Sequence, residues 1–244
     1  MYRTEDADRL IPAVAEIGFS AVEFWGWDEN SKAVADLAHK HNLAVASMCG
    51  PWVSLNNPAE HDRAVREAAV SIDIAADNGI PGIICFSGSR REGLTDEQGI
   101  EYTAAGLARL APYAQKKGVN LNLELLNSKV DHKGYQCDHT DWGVAVCRKA
   151  GSDRVKLLYD IYHMQIMEGD IIRTIRDNIA YIGHFHTAGN PGRNDLDDTQ
   201  ELNYAGICRA IAATEYTGYV AHEFAAKGDV IEALRAAFKL CDQG

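Results

Sequence analysis

Short, nearly continuous apolar runs alternate with helical segments along the whole chain, and this alternation restricts the fold more than any other feature. The runs are AVEFWG (21–26), AVASMC (44–49), GIICFS (82–87), NLNLEL (120–125), KLLYDI (156–161), YIGHFHT (181–187) and YVAHEF (219–224). Such runs, rich in Val, Ile and Leu, read as strands buried on both faces of a parallel sheet. Between them, apolar residues recur at three- and four-residue steps, as in Val65, Ala68/Ala69, Ile72, Ala75/Ala76. The same step runs through Ala104, Leu107, Leu110/Ala111 and Ala114, behind a capping-box-like Thr95…Gln98. The pairs Ile17-Gly18, Asn78-Gly79, Lys117-Gly118, Ala150-Gly151 and Thr217-Gly218 are expected to end helices just before strands.

The pattern predicts an α/β fold, a (β/α)8 TIM-type barrel lacking its first strand. It yields seven strands and eight helices and opens with helix 6–17, whereas a closed barrel needs eight strands. An open doubly wound sheet is the competing architecture. No linker or low-complexity tract interrupts the alternation, so a single domain over residues 1–244 is expected.

Composition limits the partners. Twenty-four Lys+Arg against 35 Asp+Glu give a net charge of −11, a field that repels nucleic-acid backbones. No apolar run approaches the roughly 20 residues of a membrane helix. The N-terminal MYRTEDADRL lacks the pattern of a signal peptide. The six scattered cysteines form no C-x-x-C pair and read as thiols of a reducing cytoplasm. A cytoplasmic protein acting on a small molecule is expected, and a homo-oligomer, since open sheet edges invite association.

Four consecutive strand ends each carry a residue that a buried apolar strand should avoid: Glu124, Asp160, His186 and Glu223. They fall at the C-terminal end of their strands, the face where barrel enzymes build active sites. Three carboxylates and an imidazole in a dry pocket need a counter-ion. The ligand set O, O, N, O suits Mn²⁺, Mg²⁺ or Co²⁺. The bland alternative for a single such carboxylate is the N-cap of the next helix. His163, three residues beyond Asp160, and Arg193, in the loop GNPGRNDLDD, are candidate substrate contacts. Glu23 and Trp25, at the end of run 21–26, are candidates too, with Trp27 beside them, while His184 is expected one layer deeper as a structural residue. Arg90 and Arg91 are candidates for a substrate carboxylate.

At these residues the sequence resembles the hydroxypyruvate isomerase family of the xylose-isomerase-like barrel superfamily. The carrying stretches are GFSAVEFWG (18–26), NLELLN (122–127), LLYDIYHMQ (157–165), GHFHTAGNPGRNDLDDTQELNY (183–204) and GYVAHEF (218–224). The resemblance implies a divalent ion held by Glu124, Asp160, His186 and Glu223, with Glu124 and Glu223 as the acid/base pair. It also implies isomerisation of a small hydroxy-carbonyl compound, of hydroxypyruvate/tartronate semialdehyde type, by proton transfer through an enediolate. Ketose 3-epimerases share the pattern, with Asp160/His163 and His186 in corresponding places, and epimerisation is the alternative reading. A non-catalytic or lyase-associated barrel subunit and an abasic-site endonuclease are more distant readings. Two departures stand out. The family's opening strand is missing, and isomerases of the family carry Gln where this chain has His186.

Overall fold

The computed structural model describes residues 6–242. Seven parallel strands form one sheet in chain order: β1 (Ala21–Phe24), β2 (Ala44–Cys49), β3 (Gly82–Cys85), β4 (Asn120–Glu124), β5 (Val155–Asp160), β6 (Ile182–Thr187) and β7 (Val220–His222). Each strand pairs with the next, so the sheet curls into a nearly closed barrel. A doubly wound sheet would reverse its order at a switch point, and this one does not.

The helices are α1 (Ala7–Ile17), α2 (Glu29–Lys40), α3 (His61–Asp77), α4 (Asp96–Lys117), α5 (Thr140–Ala150), α6 (Ile161–Met167), α7 (Ile171–Asn178), α8 (Tyr204–Ala212) and α9 (Val230–Cys241). Nine helices among the described residues replace the eight expected. The crossover after β5 is split by a turn in which Gly169 (φ 68°) and Asp170 (φ 47°) both take left-handed backbone. Thr95 and Gln98 form the expected capping box at the start of α4, and Gly118 ends that helix in αL. The Thr217-Gly218 pair does not end a helix: α8 stops at Ala212. Gly218 is instead required by Tyr216, whose hydroxyl donates to Tyr219 O at 2.9 Å and lies where a Cβ at Gly218 would go.

The strands bury what their composition requires. Every residue of β3 is buried, as are Leu121 and Leu123 of β4, and α3 and α4 cover that part of the sheet with Ala68, Ile72, Leu107 and Ala114. The two ends of the sheet differ. All residues of β1 and β7 are only half-buried, and among the described residues β1 pairs only with β2 and β7 only with β6. Helix α1 packs against both α9 and α2, so the helical layer passes over this seam while the sheet beneath stays open. All six cysteines are free thiols. Among the described residues no helix is long and apolar enough to cross a membrane.

Candidate active site

Glu124 is the last residue of β4 and Asp160 the last of β5. His186 lies one residue before the end of β6, and Glu223 directly follows β7. Parallel pairing puts these strand ends on one face of the barrel, with Asp160 opposite His186 in the β5–β6 register. All four side chains are buried, and one potential ligand atom from each lies within 4.8 Å of the others. His186 Nδ1 is 3.2 Å from Glu223 Oε2, 3.7 Å from Glu124 Oε1 and 4.0 Å from Asp160 Oδ2. Asp160 fills both roles weighed for it. Its Oδ1 caps α6 by accepting from the His163 N–H at 3.0 Å, while Oδ2 faces the cluster.

The other nitrogen of His186 faces β1. Glu23 Oε2 is 3.0 Å from His186 Nε2, and Glu23 Oε1 contacts His184 Nε2. Arg193 reaches the cluster from the loop after β6. That loop folds tightly on itself, since a Cβ at Gly189 would lie 2.2 Å from Asp195 O. The Arg193 guanidinium pairs with Glu223, stands 3.7 Å from Asp160 Oδ2, and lies 5.7 Å from the Tyr162 ring centre.

The electrostatics are uneven. Burial pushes the Glu124 carboxyl up, and the neighbouring Glu223 and Asp160 charges add to it against the opposing effect of His186. Asp160 is also raised, chiefly by burial, with Arg193 opposing. At Glu223 burial is outweighed by His186 and Arg193, and its carboxyl is held below the usual range. Burial likewise acts against the charge on His186, but Glu23, Glu223 and Glu124 together hold the imidazole well above its ordinary value. Burial thus works against the charge on Glu124 and Asp160, while His186 and Arg193 favour the charge on Glu223.

A cavity of about 960 Å³ opens onto this cluster. Glu23, Trp25, Glu124, His186, Arg193 and Glu223 all line it. Trp25 is 39% exposed, whereas Trp27 packs edge-on against Phe24 at 5.7 Å. His163 does not line the cavity. It is fully buried, its Nδ1 2.6 Å from the Asn127 amide nitrogen and its Nε2 3.6 Å from Asp160 Oδ2. Its contact with the cluster therefore runs through Asp160. Arg90 and Arg91 are also held away: Arg90 pairs with Asp138 at 2.9 Å, and Arg91 donates to Asn56.

The cavity has walls that the strand pattern gave no reason to single out. Trp52 stacks on Phe86 with ring centres 4.3 Å apart. His132, in the loop after β4, lines the cavity with its ring 5.2 Å from that of His163 and its buried Nε2 unpartnered. Its one sequence signal is a histidine in the loop that follows Glu124.

The cluster suits a divalent cation on its own chemistry. His186 Nδ1 is buried with no hydrogen-bond partner and faces three carboxylates, two of which burial drives toward neutrality. Hard oxygen donors with one imidazole match the ions that take carboxylate and water ligands.

The chain is 36% identical over 118 residues to 2-oxo-tetronate isomerase of Cupriavidus necator, a match spanning 48% of this chain and 45% of that protein. It is 29% identical to hydroxypyruvate isomerase of Escherichia coli over 223 residues, 86% of this chain and 84% of that one. The crystal structure of a family 2 AP endonuclease from Brucella melitensis superposes with a TM-score of 0.86 at 24% identity, over 98% of this chain and 95% of that one, and shows the shared fold. Solved ketose 3-epimerases share it too. The relatives support an isomerase or epimerase enzyme. Residues 11–241 match the family described as xylose isomerase-like TIM barrel, and the chain belongs to that family.

Proposed function

We propose that the chain is a divalent-cation-dependent isomerase of small hydroxy-keto compounds, of the hydroxypyruvate/tartronate semialdehyde type. The observation that carries this reading is the buried convergence of Glu124, Asp160, His186 and Glu223, from four successive strand ends, within 4.8 Å. These four residues would hold the ion, with Mn²⁺, Mg²⁺ and Co²⁺ as the candidates. A divalent cation there supplies positive charge beside the substrate oxygen on which negative charge builds.

The chain's own residues do the rest. Glu124 and Glu223 reach the cluster from strands three apart and are the two groups placed to take and return a carbon-bound proton. Burial raises one carboxyl while His186 and Arg193 lower the other, the asymmetry that separates an acid from a base. Arg193 is the one arginine or lysine among the cavity-lining residues. It is the group to meet a substrate carboxylate once a bound ion compensates Glu223. Trp25, Trp52 and Phe86 give the cavity an aromatic wall beside the cluster.

Returning the proton to the neighbouring carbon isomerises the substrate, and returning it to the opposite face of the same carbon epimerises it. The L-ribulose 3-epimerase fold is shared at 26% identity over 95% of this chain, so ketose 3-epimerisation is the second reading. NMR of hydroxypyruvate, 2-oxo-tetronates and ketohexoses in D₂O, with Mn²⁺ or Mg²⁺ and with EDTA, separates them. Cation-dependent deuterium incorporation with a changed carbon skeleton position of the carbonyl is expected. Deuterium at C3 of a ketohexose alone selects the epimerase, and no turnover of any of them overturns both readings.

A further inference from the structure

Two register irregularities in the sheet converge on one contact. In the β1–β2 pair the register shifts between Val22 and Glu23, so that Glu23 stands opposite Ser47 instead of Ala46. In the β5–β6 pair it shifts between Leu157 and Leu158, so that Leu158 stands opposite His184. Gly183 lies at that shift, and a Cβ there would be 2.3 Å from Asn122 Oδ1. Irregularities of this kind re-aim side chains and are common beside active sites. Here they bring Glu23 of β1 onto His184 and His186 of β6, two strands that are not neighbours in the sheet.

An imidazole offers a lone pair from one nitrogen only when the other carries the proton, and the partner of the second nitrogen decides which is which. Glu23 is an acceptor 3.0 Å from His186 Nε2, so it fixes the proton there. His184 Nε2 lies against the second Glu23 oxygen as a close contact, not as a hydrogen bond. The nitrogen left over, Nδ1, is the one facing Glu124, Asp160 and Glu223.

We propose that Glu23, through its contact with Nε2, is a positioning residue that fixes the tautomer and ring orientation of His186 so that Nδ1 is the ligating atom. This reassigns Glu23 from substrate contact to partner of a ligand, and it rests on the reading of the four-residue cluster as a cation site. A purely structural role is the competing account, because the same contact ties the sheet's edge strand across the barrel. Tautomer and affinity separate the two.

The test is calorimetric titration of Mn²⁺ into the wild type, Glu23→Gln and His186→Ala, with melting temperatures recorded for each. One Mn²⁺ per wild-type chain, and binding about 10- to 100-fold weaker in Glu23→Gln, is expected. Unchanged affinity in Glu23→Gln overturns the proposal and leaves the cation site standing. Two ions per chain make Glu23 a ligand and also overturn it. No binding to the wild type removes the cation site, and this proposal falls with it. A second measurement does not depend on the variant folding. Long-range ¹H–¹⁵N NMR of the Mg²⁺-loaded wild type should find the His186 proton on Nε2, and a proton on Nδ1 overturns the assignment. A purely structural contact would lower the melting temperature of Glu23→Gln without weakening Mn²⁺ binding.

Discussion

The Arg193 guanidinium lies against the Glu223 carboxylate, and the same nitrogen, Nη2, stands 3.7 Å from Asp160 Oδ2. One fixed positive charge therefore serves two of the three carboxylates in the cluster. A divalent ion bound among them would take over that compensation and free the guanidinium for substrate. Arg193→Gln should then raise KM for substrates bearing a carboxylate more than it lowers kcat. A charged hydrogen bond is worth about 1.5 to 3 kcal/mol, so a rise of roughly tenfold to a hundredfold is expected for hydroxypyruvate and little for a ketohexose. Equal effects on both substrate types would remove Arg193 as the carboxylate partner.

Glu124→Gln and Glu223→Gln should each abolish turnover while substrate binding survives better. The amide keeps the shape of the side chain and cannot take a proton from carbon. General acid–base groups contribute about 10²- to 10⁴-fold, and a loss of at least that size in kcat is expected, with a smaller change in substrate Kd by isothermal titration. Full activity in either variant rules that residue out as the acid/base group.

Much of this site is legible in the sequence because the barrel enforces a simple rule. Each apolar run reads as a buried strand, and β2 to β6 are largely that, so a charged residue at the C-terminal end of a run is conspicuous, and Glu124, Asp160, His186 and Glu223 are found from that alone. Residues whose role depends on contacts across the barrel are harder to read. Glu23 is visible as a strand-end carboxylate, but its pairing with His184 and His186 depends on two register shifts that leave no local trace. His163 looks like a loop residue three positions after Asp160 and is instead fully buried, because α6 begins at once and turns its ring inward. His132 and Trp52 lie in loops, where periodicity gives no signal. Six apolar runs overstate their strands at one or both ends, since hydrogen bonding stops before hydrophobicity does.

Away from the cluster, Asp138 offers a test of stability against pH. Burial alone would raise its carboxyl, but hydrogen bonds from Arg90, Ser128 and His139, and the Arg90 charge, outweigh burial and hold it below the usual range. A carboxyl lowered in the folded state contributes stability above its unfolded value of about 3.9, and loses it as pH falls through the folded value. Asp138→Asn should therefore destabilise the protein by about 1 to 3 kcal/mol at neutral pH. The gap between variant and wild type should close as pH drops below about 4. Urea melts at a series of pH values measure it, and a gap independent of pH would mean that the charge of Asp138 carries no stability.

The open seam makes the last prediction. In a parallel sheet each strand directs alternate backbone groups to its two neighbours, and β1 and β7 each have one neighbour among the described residues. Half-buried residues along both strands, and the active-site cavity itself, which continues between Val22 and Val220 to Leu10 and Val14 of α1, show the seam to be accessible between the sheet edges. The outward amides of β1 and β7 should exchange hydrogen far faster than those of β3 and β4. Edge groups reached by water lose less than the roughly 1 to 3 kcal/mol of a buried unpaired group, which lets the sheet stand open. A short apolar strand placed before Met1 should lie between the two edges and pair with both. Helix α1, already seated against α9 and α2, would then be the helix that follows it. Slower exchange in both β1 and β7, a higher melting temperature and tighter Mn²⁺ binding at Glu223 are expected of the extended chain. Unchanged exchange at β7 would show that the seam does not accept a strand.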